Sequence, residues 1–368
     1  VLDLDIDPDA QAGSLSAAHQ RMLMMARAVH RKARLLILDE PTAGLATHEA
    51  ELVGDAVRRL AGGELTIVFV SHHLSAVAKL SDRVSCVREG RVVETLERDQ
   101  LSKDRLVELL TGVPAGVSIP TAAGSPEVAE ADLGSALELR GVHGARVHDV
   151  DLRAPRGQVT GITGLLGSGV TELVAFLVGA QSPVAGEVVL DGEALTLRTP
   201  ADALKRSIGY LPGDRTRAAF ATMSIRTNVS IGALGSWFGR MGLLRAEKEE
   251  NGVAEALAAL SVKGDAGRPI SVLSGGNQQR ALVARLIAAD ARILVLDEPT
   301  VGVDVRARAE LWGAVRELAH ERIVVVASSE PDELVALCDQ VVCIADGRVS
   351  AVLTGAQVTE TAIAGAIA

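Results

Sequence analysis

The chain has 368 residues, 48% of them hydrophobic and 23% charged, an ordinary globular composition with room for two or so domains. Its formal net charge of −10 argues against a nucleic-acid or ribosome-binding surface, which needs clustered Lys and Arg. No apolar run approaches the roughly 18 residues of a membrane span, and with aromatics at 2% the cores have to be aliphatic.

Val1 opens the chain with neither a signal peptide nor a start-of-domain pattern, so the chain reads as a fragment or a processed product. Leu15-Ser16-Ala17-Ala18-His19 leads into a helical stretch where Met22, Met24 and Met25 read as core filling, followed by Arg27. Residues 35–38 form a short apolar strand running into Asp39-Glu40-Pro41-Thr42. A second strand, 66–70, is followed by Ser71-His72. Cys86, like Cys338 and Cys343 later, belongs to no C-x-x-C pair and reads as a buried small residue. Residues 112–135 hold Pro114, Pro120 and Pro126 among Gly, Ala and Ser, without hydrophobic periodicity, and read as a linker.

From about Ala136 the pattern starts again. Residues 159–163 form a strand that feeds Gly164-Leu165-Leu166-Gly167-Ser168-Gly169-Val170-Thr171, and a helix reads from Glu172 to Gly179. Leu273-Ser274-Gly275-Gly276 opens a helix reaching Ala288, and residues 292–296 form a strand ending at Asp297-Glu298-Pro299-Thr300. Residues 323–327 are a further strand, followed by Ser328-Ser329-Glu330. Leu15 recurs as Leu273, Arg27 as Arg285 and Asp39 as Asp297, each 258 residues further on. Such a long period means duplicated domains. Residues 1–112 are the back half of a first domain, 113–135 a linker and 136–368 a second domain, both α/β with alternating strands and helices.

The glycine loop fits G-x-x-x-x-G-K-[ST] except at Val170, where the lysine should stand. Its backbone N–H groups and the following helix N-terminus suit phosphate oxygens, and Thr171 stands where a hydroxyl holds Mg²⁺. At the end of the buried strand, Asp297 suits Mg²⁺ and Glu298 the polarisation of an attacking water; a bare acidic turn would explain one such pair, but Asp39-Glu40 repeats it. The Ser-Gly-Gly turn offers N–H groups and a hydroxyl to an anion, or is an N-capped helix start.

Leu273-Ser274-Gly275-Gly276 resembles the ABC signature motif. With the degenerate loop, the Asp-Glu strand and Val301-Gly302-Val303-Asp304, the resemblance to ABC-type P-loop ATPase domains covers essentially the whole chain outside the linker. Asn277-Gln278-Gln279, the loop from Gly164 to Glu172 and Ser328-Ser329-Glu330 look most like the tandem-domain ATPases of ribose, galactose and xylose importers. That resemblance implies an ATP- and Mg²⁺-dependent ATPase, peripheral on the cytoplasmic face of the membrane. It implies permease subunits and, through them, a solute-binding protein as partners, and no nucleic acid. It also implies head-to-tail pairing of the two domains. One site would take Asp39, Glu40 and the switch residue His72 with Ser274, Gly275 and Gly276. The other would take Gly164, Gly167, Ser168, Gly169, Val170, Thr171, Asp297 and Glu298 with Leu15-Ser16-Ala17-Ala18-His19. Departures gather in the second set: Val170 for the cation, Ser329 for the histidine, Ala17-Ala18 for Gly-Gly, Gly213 for Gln or Glu, and Ala46 opposite Asp304. The segment 211–231 would face the permease, with Ser224 and Asn228 as crosslinking points. Two alternatives stay open: a soluble tandem ABC protein of translation, and a truncated nucleotide-binding remnant without activity.

The asymmetry predicts that in the full-length protein Glu40→Gln abolishes most turnover and Glu298→Gln much less, read as phosphate release. Equal losses would refute it. The present chain, with no loop in front of Glu40 and no loop cation at Val170, is expected to sustain no hydrolysis by itself.

Overall fold

The computed structural model describes residues 6–42, 45, 47–61, 65–71, 74–88, 90–111, 135–214, 218–233, 245–303 and 305–367. The expected linker lies outside these apart from Ser135. The chain separates into two compact units, Val1–Ser118 and Ile119–Ala368.

In the first unit, α1 (Ala17–His30) starts at Ser16, whose hydroxyl accepts the His19 N–H at 3.3 Å as an N-cap. Ala18, Met22 and Met25 recur at helical spacing and are buried, together with Val53, Ala56 and Leu60 of α2 (Thr47–Ala61). Met24 is 68% exposed, which corrects its reading as core: one residue of helix turns it about 100° away from Met25. Strands β1 (Leu35–Asp39) and β2 (Thr66–Val70) pair in parallel. After α3 (Leu74–Leu80), β3 (Arg83–Arg88) and β4 (Arg91–Glu97) pair antiparallel, and α4 (Lys103–Thr111) follows.

The second unit begins with β5 (Ala136–His143), β6 (Val150–Pro155), β7 (Val159–Gly164) and α5 (Val170–Leu177). Next come β8 (Ala185–Leu190), β9 (Glu193–Leu195), α6 (Pro200–Lys205) and β10 (Ile208–Leu211). Helices α7 (Ile225–Ser230), α8 (Ala246–Ala259) and α9 (Gly275–Ala288) precede β11 (Ile293–Asp297). The chain closes with α10 (Val305–Ala319), β12 (Ile323–Ala327), α11 (Pro331–Leu337), β13 (Gln340–Ala345), β14 (Arg348–Thr354) and α12 (Glu360–Ile367). The main sheet has the order β10-β11-β12-β7-β13-β14, parallel except for the last pair. A separate antiparallel sheet has the order β6-β5-β8-β9.

Strand and helix ends differ slightly from expectation. The strand expected over 292–296 is shifted by one, because pairing with β12 continues to Asp297 opposite Ala327. Asp297 therefore rides on the strand itself, as Asp39 does on β1. Helix α5 starts at Val170, two residues before Glu172, because Gly169 serves as its N-cap.

The central strands β11 and β12 of the second unit's main sheet are buried on both faces, as apolar parallel strands require. One face packs on a cluster including Leu282, Leu294, Leu296 and Val326. The other packs under Leu173, Phe176 and Leu177 of α5 and Leu137 and Leu139 of β5. Among the described residues of the first unit, only one face of β1-β2 is covered. Ile37 is 66% exposed while its repeat counterpart Val295 is 0% exposed; Val70 is 56% exposed against 1% for Ala327. No first-unit segment among the described residues plays the part of α5 and β5.

Ile37→Thr should therefore change stability by no more than about 0.5 kcal/mol, whereas Val295→Thr should cost roughly 1–3 kcal/mol by burying a hydroxyl. Urea unfolding of both variants checks this. Ile37→Thr with Val70→Thr should also reduce light scattering on standing, since it removes an exposed apolar strand face.

Candidate nucleotide site

Because β7, β12 and β11 are parallel neighbours, their carboxyl ends lie along one sheet edge. The glycine loop leaves β7, Ser328-Ser329 leaves β12 and Asp297-Glu298 ends β11. Backbone sterics demand glycine where the loop turns. Gly169 has φ 108°, and a Cβ there would collide with Val147 Cγ1. A Cβ on Gly164 would collide with the Ile344 carbonyl and with Ser168 Oγ. Ser168 is buried, and its hydroxyl has no hydrogen-bond partner among the described residues. Val170 leans on the apolar cluster around α5 instead of reaching out of the loop, while Thr171 is exposed on the first helical turn.

Glu172, next on α5, is buried and fixes the loop from behind. Its carboxylate accepts the N–H groups of Ala145 at 2.8 Å, Arg146 at 2.8 Å and Val147 at 3.0 Å, and the Gln181 amide at 3.0 Å. Burial pushes its pKa up, but the hydrogen bonds outweigh this and hold the carboxyl below its ordinary value.

At the strand ends, Asp297 accepts the Tyr210 hydroxyl at 3.1 Å. Burial raises the Asp297 pKa despite this bond and one from the Gly213 N–H. The Tyr210 phenol is raised too, by burial and by the adjacent carboxylate. Glu298 has φ 46°, a left-handed conformation uncommon for a side chain of this size. Its N–H donates to Ala327 O at 2.8 Å, and its Oε1 accepts the Ser329 N–H at 2.8 Å. Its Oε2 has no partner among the described residues. Burial first, and then the nearby Glu333 carboxyl, push the Glu298 pKa up to about 7. Glu333 is itself wholly buried, accepting Ser328 Oγ at 2.6 Å, Thr300 Oγ1 at 2.8 Å and Trp312 Nε1 at 3.0 Å. Gly213 lies against this centre: a Cβ there would stand 3.1 Å from Glu298 Cβ, so Gln or Glu at that position would crowd it.

The first unit repeats the strand-end geometry. Glu40 has φ 45°, and its N–H donates to Val70 O at 2.8 Å. Asp39 ends β1 beside Val70. His72, like Asp304, lies outside the described residues.

Ser274 caps α9, its hydroxyl accepting the Asn277 N–H at 3.5 Å and the Asn277 amide at 3.1 Å. Gln278 donates to Leu273 O at 2.8 Å, as Gln20 does to Leu15 O at 3.0 Å in the first unit. Gly275 and Gly276 begin the helix, where N–H groups have no intrahelical acceptor. Gly276 is also a packing position, because a Cβ there would collide with Ala307. Asn228, expected as an accessible crosslinking point, is 0% exposed. Its amide donates to Phe220 O and accepts the Phe220 N–H, and Arg285 grips its carbonyl at 2.6 Å. Burial lowers the Arg285 pKa to about 10.

Three residues of this site escape a reading of motifs: Tyr210, Glu333 and Arg146. Glu172 closes the loop motif read from the sequence, while these three act through contacts between segments 20 or more residues apart, which no local pattern announces.

A glycine loop and two carboxylates brought to one edge of a parallel sheet define a P-loop-type nucleotide-binding architecture. A family model described as ABC transporter matches residues 147–301. A ribose import ATP-binding protein of Burkholderia pseudomallei is 39% identical over 370 residues, covering 98% of this chain and 70% of that protein. A putative ribose/galactose/methyl galactoside import ATP-binding protein of Rhizobium meliloti is 37% identical, covering 98% of this chain and 71% of its own length. Among solved structures, a nucleotide-free ATP-binding cassette from an ABC transporter matches with a TM-score of 0.56 at 19% identity, covering 62% of this chain and 95% of that one. The chain belongs to the ABC transporter family.

The Glu298 geometry yields a pH test. A carboxyl raised from 4.5 to about 7 contributes stability that is fully present below pH 4.5 and lost as pH rises through about 7. The unfolding free energy of the native chain minus that of Glu298→Gln should therefore fall across this window. Glu333→Gln should move the window down. A difference that is flat with pH would contradict the buried carboxyl.

Proposed function

We propose that the chain is an ATP-binding and ATP-hydrolysing subunit that energises a sugar importer. The observation that carries this is 39% identity to a ribose import ATP-binding protein across 98% of the chain. The site chemistry supports it. Glu298, with a pKa near neutrality and one oxygen uncommitted, suits a group that polarises an attacking water. The loop N–H groups suit the phosphates, and catalysis is then mostly positioning and charge stabilisation.

Mg²⁺ fits this donor set as a companion of the nucleotide. Thr171 offers an exposed hydroxyl and Asp297 a single carboxylate, and Mg²⁺ takes its remaining ligands from phosphate and water. No cluster of His, Cys, Asp and Glu that could hold a resident ion occurs among the described residues.

The partners in this reading are membrane permease subunits and, through them, a solute-binding protein, with the chain at the cytoplasmic face of the membrane. No helix among the described residues is long and apolar enough to cross a membrane itself. Phe220 and Met223, 44% and 45% exposed beside Ser224, make an apolar patch that a permease would cover. Of the two copies, the Glu40 set remains the better candidate for turnover. The Glu298 set combines its well-formed carboxylate with Val170, Ser329 and Gly213.

The decisive experiment is uptake in proteoliposomes containing the permease and the full-length subunit. MgATP-dependent import of ribose, galactose or xylose is expected, and no import of any of them would overturn the reading. A photo-crosslinker at Met223 should capture the permease. Crosslinks only from α12 would place the docking face elsewhere.

A further inference from the structure

Residues 164–171 contain no Lys or Arg, so this loop brings only N–H groups and hydroxyls to an anion. A cation nevertheless reaches it from another segment. Arg146 Nη1 donates to the Gly167 carbonyl at 3.3 Å and would stand 3.2 Å from a Cβ on Gly167. The arginine's backbone is fixed on both sides. The N–H groups of residues 145, 146 and 147 are held by buried Glu172, and the His148 N–H donates to Gly347 O at 2.8 Å. Val147 wedges against Gly169. The Arg146 guanidinium, by contrast, is exposed and makes that one bond to the loop.

A second observation points to a ligand at the same place. Ser168 is 9% exposed, and its hydroxyl lies beside Gly164 with no partner among the described residues. A buried hydroxyl left unpaired is costly, and an anion seated in the loop would satisfy it.

We propose that Arg146 supplies the positive charge the loop itself lacks, and that its ligand is the phosphate chain of a nucleoside di- or triphosphate. This rests on reading residues 164–171 as a nucleotide site. A guanidinium is always charged and can bind phosphate oxygens in bidentate fashion. Because the guanidinium is exposed and held by a single bond to the loop, it is free to turn from the Gly167 carbonyl toward an anion seated there. The residue is a binding group at the site, brought within reach by the carboxylate of Glu172.

The test is calorimetric titration of the whole chain with MgADP and, separately, with adenosine. Arg146→Gln keeps a donor for the Gly167 carbonyl but removes the charge. It should weaken MgADP binding about 10- to 100-fold and flatten its salt dependence, with adenosine binding unchanged. Arg146→Lys should retain part of the affinity, and Arg146→Gln with Val170→Lys should restore it. Circular dichroism checks that each variant folds. Native affinity for MgADP in Arg146→Gln would overturn the proposal while leaving the nucleotide site standing. So would equal weakening of adenosine and MgADP, which would place the arginine on the base. So would binding that appears only with Val170→Lys. Failure of both the native chain and Val170→Lys to bind MgADP would overturn the nucleotide site and the proposal with it.

Discussion

The parallel pairing of β11 with β12 and of β12 with β7 is the constraint on which the rest of the second unit depends. Register fixes Asp297 opposite Ala327 and Ala327 opposite Ile162, so β11 and β12 end together and β7 runs only two residues further, to Gly164. Each strand then delivers one part to the same edge: the glycine loop, the carboxylate pair, and the Ser328-Ser329 turn. The parts are far apart in sequence, and hydrogen bonds between strand ends make them neighbours. The Glu298 N–H to Ala327 O is the next rung of that ladder, formed just where the backbone turns left-handed. The same rung in the first unit, Glu40 to Val70, shows that the turn is inherited from strand pairing.

Glu298 illustrates how a carboxyl is held with a raised proton affinity. A left-handed non-glycine residue costs about 1–3 kcal/mol and persists only where surrounding contacts enforce it. Here the Ser329 N–H holds one oxygen, the other is left open, and burial with Glu333 behind it raises the proton affinity. Glu172 is the opposite case. It too is buried, yet three backbone N–H groups and an amide keep it ionised, so it serves as a strut. Two buried carboxylates in one domain thus differ in chemistry because they differ in the number of donors they receive.

Most of the architecture was legible in the sequence. Apolar runs ending in Asp-Glu-Pro, repeated at a fixed interval, located β1 and β11, and residues 66–70 and 323–327 match their strands without adjustment. Exposure was less legible. Ile37 and Val295 are both apolar and both mid-strand, yet one faces solvent and the other a core, because the layer over Val295 comes from α5 and β5. Asn228 read as a polar surface residue. It is a buried bracket instead, because Arg285, Phe220 and Met223 happen to meet its four hydrogen-bonding valences. Arg146 carried no signal at all: its proximity to Gly167 exists only once Glu172 has folded its segment onto the loop.

The signature positions show how a departure from a binding motif can be absorbed by packing. Gly276 lies under Ala307 so closely that a Cβ would collide, so in the second unit glycine is demanded by the neighbouring helix as well as by any anion. Its counterpart Ala18 does carry a Cβ, and it is 1% exposed within the first unit's own core, beside Met22 and Leu45. The extra methyl group there fills apolar space, and burying one methylene-sized group is worth about 0.8 kcal/mol. Two effects therefore run together in the first copy. The helix start gains packing, and it loses the room for close approach to the backbone that glycine leaves. Loss at one signature need not appear as instability, because Ser16 still caps its helix and Gln20 still holds Leu15 as their counterparts do. The first unit thus keeps the cap of its helix while the residue two places after it changes from glycine to a packed alanine, so one helix start is built on two different packing solutions.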